Sequence, residues 1–261
     1  MLFDTHCHLN SDELYPKYKE LIKEAKDSGV ELIIVPGYDL LSSQRVLELI
    51  KEKNIYGAIG LQPEEIDKTN VNALFDLFKT VKDNKKIVAI GEIGLDYYWE
   101  KDENKKQVQR ELFIKQIEIA NELKLPIIVH SRDALQDTYE ILKCHQPIMG
   151  GVMHCYSGPK EMVNEFIKLG MYISLGGPVT FKNARVPKEV ATSIDINYLL
   201  IETDSPYLSP HPLRGTENKP SNVKLVEEEI ARLRNMELDD LEAITFKNAT
   251  KLFGIKYEDK M

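Results

Sequence analysis

The feature that most narrows the folds open to this chain is an eightfold alternation. Short apolar runs recur at 2–6, 31–36, 56–61, 87–92, 126–130, 150–154, 171–175 and 199–203. Between them lie stretches, such as 20–28, 43–53, 71–83, 105–123 and 134–144, whose apolar residues fall three or four apart, the spacing of one helix face. Several of the short runs are continuously apolar and rich in Val and Ile, as parallel strands buried on both faces are. Eight strand–helix units predict an α/β chain folded as a (β/α)8 TIM barrel. Barrels run to roughly 250 residues as one domain, so the whole chain, 1–261, is expected to form a single domain. Its C-terminal helical segment, 221–254, contains two helical patterns at 223–234 and 239–253 that close the barrel or pack against it.

The competing architecture is an open doubly wound sheet, which also alternates strand and helix. A dinucleotide-binding version would carry GxGxxG after its first strand. Here the first strand runs instead into Asp4-Thr5-His6-Cys7-His8, which favours the barrel. No internal repeat is visible, and the one long irregular stretch, 204–221, is rich in Pro, Ser and Gly. Loops of that length in a compact domain are usually functional.

Composition removes other classes. Hydrophobic residues make up 43% and charged residues 29%, a globular balance that argues against disorder, collagen or coiled coil. No apolar stretch approaches the roughly 18 residues of a membrane span, and the chain starts on a strand-like run without a basic signal-peptide pattern, so a soluble, cytoplasmic protein is expected. Cys7, Cys144 and Cys155 form neither a paired framework nor a CxxC and read as reduced thiols. The formal net charge of −8 argues against binding nucleic acid through spread positive charge; a polyanion would need positive charge supplied locally.

In a barrel the chemistry sits at the carboxyl ends of the strands. His6 and His8 fall at the end of strand 1, Glu92 at the end of strand 4, His130 of strand 5 and His154 of strand 6, and Asp204 follows strand 8. Four of the six His occupy such positions. Alternation sends His6 and His8 to one side and Cys7 to the other. One strand-end His is more often a satisfied core or surface residue than a ligand, but four together with two carboxylates form a ligand set for Zn, Mn or Mg. Two divalent ions would outweigh the two carboxylates and leave a local positive surplus, so an acidic protein can attract a phosphodiester. Paired ions lower the pKa of bound water to roughly 7 and stabilise attacking and leaving oxygens, which makes hydrolysis the natural reaction class. His145, in a polar helix end before Pro147, reads as solvated; His211, in the long loop, reads equally as a substrate contact or as solvated.

The segments carrying these residues, Asp4-Thr5-His6-Cys7-His8-Leu9, Gly91-Glu92-Ile93-Gly94-Leu95-Asp96-Tyr97-Tyr98, Pro126-Ile127-Ile128-Val129-His130-Ser131-Arg132, His154-Cys155-Tyr156-Ser157-Gly158 and Glu202-Thr203-Asp204-Ser205-Pro206-Tyr207-Leu208, resemble those of the TatD family of metal-dependent deoxyribonucleases. The resemblance continues through Arg214-Gly215, Asn218-Lys219-Pro220 and 248–254. It implies an amidohydrolase-type barrel with up to two divalent ions, magnesium or manganese, acting on DNA, in several members as a 3′-to-5′ exonuclease. By the same likeness His6, His8, Glu92 and Asp204 would hold one ion and Glu92, His130 and His154 the other, with Glu92 as the bridge. No obligate protein partner and no membrane are implied. One departure stands out: many members carry Gly-x-His-Pro after strand 3, where this chain has Gly60-Leu61-Gln62-Pro63. Gln62 hydrogen-bonds but does not titrate near neutral pH.

Roles follow from position. Glu92 and Asp204 are the expected catalytic carboxylates, Asp204 either as general base toward water or as a ligand alone. Glu202 lies one layer deeper on the same side, placed for a supporting hydrogen bond. Arg132 and Arg214 can fork a phosphate, and Tyr156 and Ser157 can orient substrate; for exposed Arg a solvated surface role is the alternative. Asp96 can steady a loop or an imidazole. Tyr97, Tyr98 and Trp99 either stack bases or pack on the following helix, and 100–111 reads as a solvated helix entrance. Two alternatives to a deoxyribonuclease remain: a hydrolase of a small amide, ester or lactone using the same metals, and a weakly active metal- or nucleic-acid-binding protein.

Overall fold

Eight strands, β1 (Leu2–Asp4), β2 (Val30–Pro36), β3 (Ile55–Ile59), β4 (Ile87–Asp96), β5 (Ile127–Arg132), β6 (Gly151–Met153), β7 (Met171–Leu175) and β8 (Leu199–Ile201), follow one another round a single sheet, each parallel to the next. The structure is a computed structural model and describes residues 1–257; residues 258–261 of the expected domain lie outside the described residues. The crossovers are the helices α1 (Tyr18–Asp27), α2 (Leu40–Leu49), α3 (Val71–Val81), α4 (Glu103–Leu123), α5 (Leu135–Cys144), α6 (Lys160–Lys168) and α7 (Arg185–Ser193). The last strand meets the first through a parallel bridge between Cys7 and Ser205. Backbone bonds from Thr5 N to the Ile201 carbonyl (3.2 Å), Asp204 N to His6 (2.9 Å) and His8 N to Ser205 (2.8 Å) complete this seam. The architecture is the (β/α)8 TIM barrel.

Period-two alternation divides the apolar residues between two layers. Phe3, Leu32, Ile34, Ala58, Ile128, Val152, Tyr172 and Leu200 form one buried cluster, the barrel interior, while their chain neighbours Leu2, Ile33, Val35, Ile127, Met153, Ile173, Leu199 and Ile201 pack outward under the helices. Two further helices, α8 (Val223–Arg234) and α9 (Leu238–Leu252), follow the last strand. Phe246, Ala249 and Leu252 of α9, with Phe253, join the interior cluster and stopper the end opposite the strand C-termini. Burying a Phe or Leu side chain of this kind contributes about 1.5–3 kcal/mol, a reason for an extra helix beyond the eight units.

Helix starts have local causes. Asp39 and Ser42 cap α2 reciprocally, Asn70 accepts from Ala73 N at the start of α3, and Asp102 accepts from Lys105 N at the start of α4; such caps each stabilise by about 1 kcal/mol. Of the strand boundaries that differ from the hydrophobic pattern, three bear directly on the site. β1 and β8 stop at Asp4 and Ile201, before His6 and Thr203; past them the buried Asp4 side chain joins the seam, accepting from Thr203 N at 2.9 Å and from its hydroxyl at 2.6 Å. β4 runs past Glu92 to Asp96, so Glu92 sits within a strand and not at its end. A register irregularity between Ile90 and Ile93 against β5 accommodates it, and such bulges re-aim side chains next to sites. Gly94, at φ +143, lets β4 continue beside β5, since a Cβ there would lie 1.9 Å from the His130 carbonyl oxygen.

Candidate metal centre

Five side chains, borne at or just beyond the ends of β1, β5, β6 and β8, gather around Glu92 within β4. One Glu92 oxygen, Oε2, lies 3.2 Å from His6 Nε2 and 3.4 Å from His8 Nε2; the other, Oε1, lies 3.1 Å from His130 Nδ1 and 3.0 Å from His154 Nε2. Asp204 Oδ1 approaches His6 and His8 at 3.7 and 3.4 Å. Each carboxylate oxygen of Glu92 thus faces its own pair of imidazole nitrogens, the arrangement of a bridging ligand.

The protein atoms fit divalent ions on their own terms. The facing nitrogens stand 3.1 Å apart in His6 and His8 and 3.4 Å apart in His130 and His154. Two nitrogens bound tetrahedrally at about 2.0–2.1 Å from one ion are separated by roughly 3.3 Å. Within each of the triads His6–His8–Glu92 and Glu92–His130–His154, ligand atoms all lie within 4.8 Å of one another. Glu92 Oε2 is buried without a hydrogen-bond partner among the described residues, an arrangement costly to leave uncompensated. A third triad, His6–His154–Glu202, shares two of the imidazoles.

The electrostatics of the protein groups are strongly coupled. Burial pushes the Glu92 carboxyl up, but His154, His130 and His6 outweigh it and hold it well below the usual range. Burial pulls His6 down, aided by His154. At His130 burial also acts downward, yet Asp96 and Glu92 bring it to about 9; at His154, Glu92 and Glu202 overcome burial and raise it. Metal binding must displace such protons, so these imidazoles make affinity pH-dependent.

Supporting contacts set the imidazole orientations. Asp96 Oδ2 stands 3.0 Å from His130 Nε2, and Glu202 Oε1 stands 3.3 Å from His154 Nδ1 while accepting from Cys155 N at 2.7 Å. These are the positions read for Asp96 and Glu202 from the strand pattern. Gln62 donates to Glu92 Oε1 at 3.2 Å. Two residues escaped the sequence reading: Gln109 and Gln116, buried on α4. Gln109 Oε1 accepts from Asp96 N at 3.0 Å, and Gln116 Oε1 accepts from Leu61 N at 2.7 Å, so one helix pins both the Asp96 and the Gln62 segments. The 100–111 stretch is therefore not wholly a solvated entrance; the signal was polar Gln in step with Phe113, Ile117 and Ala120 on the buried face.

The centre opens into a cleft of about 810 Å³. Arg132, Ser157 and Tyr156 line it, with Arg132 and Ser157 exposed. Tyr156 is buried and its hydroxyl donates to the Pro159 carbonyl at 2.9 Å, which commits the polar end within its own loop. Arg214, read as a phosphate clamp, does not line the cleft: its guanidinium lies 4.5 Å from the Phe181 ring centroid, drawn there by cation–π attraction. His145, partly buried, and His211, exposed, both lie outside the cleft. No helix is long and apolar enough to cross a membrane among the described residues.

The comparisons agree with this geometry. The family model described as TatD related DNase matches residues 3–254. An uncharacterized metal-dependent hydrolase of Bacillus subtilis, YabD, is 47% identical over 98% of this chain and 100% of its own length. The uncharacterized metal-dependent hydrolase MJ1582 of Methanocaldococcus jannaschii is 40% identical over 96% of both chains. The crystal structure of YJJV, a TatD homolog from Escherichia coli, superposes with a TM-score of 0.92 at 30% identity over 98% of both chains. Fold, converging ligands and relatives together place the chain in the TatD family of metal-dependent hydrolases.

Proposed function

We propose that this hydrolase cleaves phosphodiester bonds of DNA, removing nucleotides from a 3′ end. The observation that carries the reading is Glu92, whose two oxygens each face two imidazole nitrogens at the floor of a cleft bearing Arg132. His6, His8, Glu92 and Asp204 would hold one divalent ion, and Glu92, His130 and His154 a second, with magnesium, manganese or zinc compatible with the donors. When bound, such ions make water acidic enough to attack near neutral pH and balance charge on phosphoryl oxygens.

The remaining work falls to the chain's own groups. Asp204, at the cleft edge of the His6–His8 pair, accepts the proton of the attacking water. Arg132 donates to the phosphate in a bidentate geometry, and Ser157 adds a hydroxyl from the facing rim. Tyr156 contributes wall shape. Gln62 holds Glu92 in orientation through its amide, without exchanging protons. The free thiols Cys7, Cys144 and Cys155 suit a cytoplasmic setting.

A second reading has one observation in its favour. Asp12, Glu13, Glu64 and Glu65 line the cleft, and carboxylates repel a long polyanion, which favours a small ester, amide or lactone. The deciding assay uses matched 5′- and 3′-labelled DNA beside a panel of small esters, with magnesium or manganese and with chelator. Cleavage of DNA that chelator abolishes and that Glu92→Ala and Asp204→Ala lose is the expected result. Turnover of esters with no DNA cleavage would replace the first reading by the second.

A further inference from the structure

Arg132 is in step with Ile128 and His130 on β5, so it faces inward one layer above a metal-site imidazole. Its guanidinium carbon lies 3.9 Å from the Tyr98 ring centroid and 5.5 Å from that of Trp99. The two rings meet edge to face at 4.7 Å. Trp99 lines the cleft and is 63% exposed, a large apolar surface kept open where packing would otherwise have covered it. Arg132 makes no salt bridge among the described residues and is the only Lys or Arg among the described residues lining the cleft.

The turn that bears these rings is fixed to the metal centre. Tyr98 N and Trp99 N both donate to Asp96 Oδ1, at 2.9 and 3.0 Å, while the other oxygen of the same carboxylate stands 3.0 Å from His130 Nε2. Tyr97 N donates to the Arg132 carbonyl at 2.9 Å, and the Tyr97 hydroxyl donates to Asp137 at 2.7 Å. One carboxylate therefore sets both a ligand imidazole and the two rings, so the distance from rings to metal centre is built in.

We propose that Trp99 and Arg132 form a subsite in which the indole stacks on a flat ring of the substrate while the guanidinium, held against Tyr98, binds an anionic group carried by the same substrate. Resting on the phosphodiesterase reading, the flat ring is a nucleobase and the anion its phosphate. Stacking on an aromatic side chain tolerates every base, so the subsite demands that a base be present and selects weakly among bases.

Trp99 is the chain's single tryptophan, so intrinsic emission reports on this position alone. Thymidine 5′-monophosphate is expected to quench it saturably, and 2-deoxyribose 5-phosphate, which lacks the base, to leave it unchanged. A kinetic arm compares thymidine 5′-(p-nitrophenyl phosphate) with methyl p-nitrophenyl phosphate. Trp99→Ala should raise KM about 5- to 30-fold for the first, leave kcat within about twofold and leave the base-free substrate unaffected, with Trp99→Phe restoring most of the loss. Arg132→Lys, which keeps charge and loses the planar fork, should raise KM for both. Equal emission responses to the two phosphates, or equal KM changes for the two diesters in Trp99→Ala, would overturn the subsite. If neither diester is hydrolysed, the phosphodiesterase reading falls while the emission titration still decides the subsite.

Discussion

The two halves of the metal centre share Glu92 and differ in everything behind it. In the half built by β5 and β6, each imidazole has a carboxylate at its far nitrogen, Asp96 behind His130 and Glu202 behind His154. In the half at the barrel seam, the far nitrogens of His6 and His8, both Nδ1, are buried without a partner among the described residues. Carboxylates behind an imidazole fix its tautomer and make it a stronger ligand. The β5–β6 half is thus orientated by the protein before any ligand arrives, whereas the seam half has its imidazoles set by backbone and packing alone.

The sharpest way to break the comparison is to remove what the halves share. Glu92→Ala should cost activity on the order of 10³-fold or more and lower metal content in both halves by elemental analysis of dialysed protein; unchanged occupancy in either half would refute the bridging role. Next in size, Asp96→Asn and Glu202→Gln should weaken metal binding about 10- to 100-fold in a titration, and for one ion only. If both ions weaken together, the halves are not independent. Gln62→Ala removes one partly exposed hydrogen bond to Glu92, and about a fivefold fall in kcat/KM is expected, with both metal affinities moving slightly and equally.

A buried carboxyl away from both halves provides the control. Glu227 on α8 accepts from the Thr245 hydroxyl on α9 at 3.1 Å, and burial, aided by the charge of Glu242, pushes it up to about 8. The folded state then holds a proton that the unfolded chain releases from about pH 4.5 upward, so its stabilising contribution is full below that pH and is lost as pH rises through about 8. Glu227→Gln should leave activity unchanged and raise the urea midpoint at about pH 9 more than at about pH 5. A parallel shift at both values would show that Glu227 does not titrate there.

The parts of this design that could be read from sequence are those with a one-dimensional signature. Each ligand is a polar residue ending or following an apolar run, so His6, His8, Glu92, His130, His154 and Asp204 were all visible from strand position. What could not be read depends on which neighbour a side chain meets. Nothing in Gly91-Glu92-Ile93 announces that β4 continues to Asp96, because that continuation depends on β5 and on Gly94 beside His130. Gln109 and Gln116 carry no sequence signal for the segments they clamp, because those segments meet α4 only in the fold. Of the two readings open for Arg214, phosphate clamp or surface residue, the second fits its place: exposed, against the Phe181 ring and not among the residues lining the cleft.

The seam between the first and last strands has a consequence for how the molecule matures. His6 and His8 emerge first in synthesis, yet their partner Asp204 arrives almost two hundred residues later. The Glu92–His130–His154 triad, by contrast, draws on consecutive strands. During N-to-C synthesis, a nascent chain can assemble one triad from its middle third, but the other ligand set is complete only when the two ends have met. An ion seated there would fasten beginning to end, because binding to the closed form alone stabilises that form.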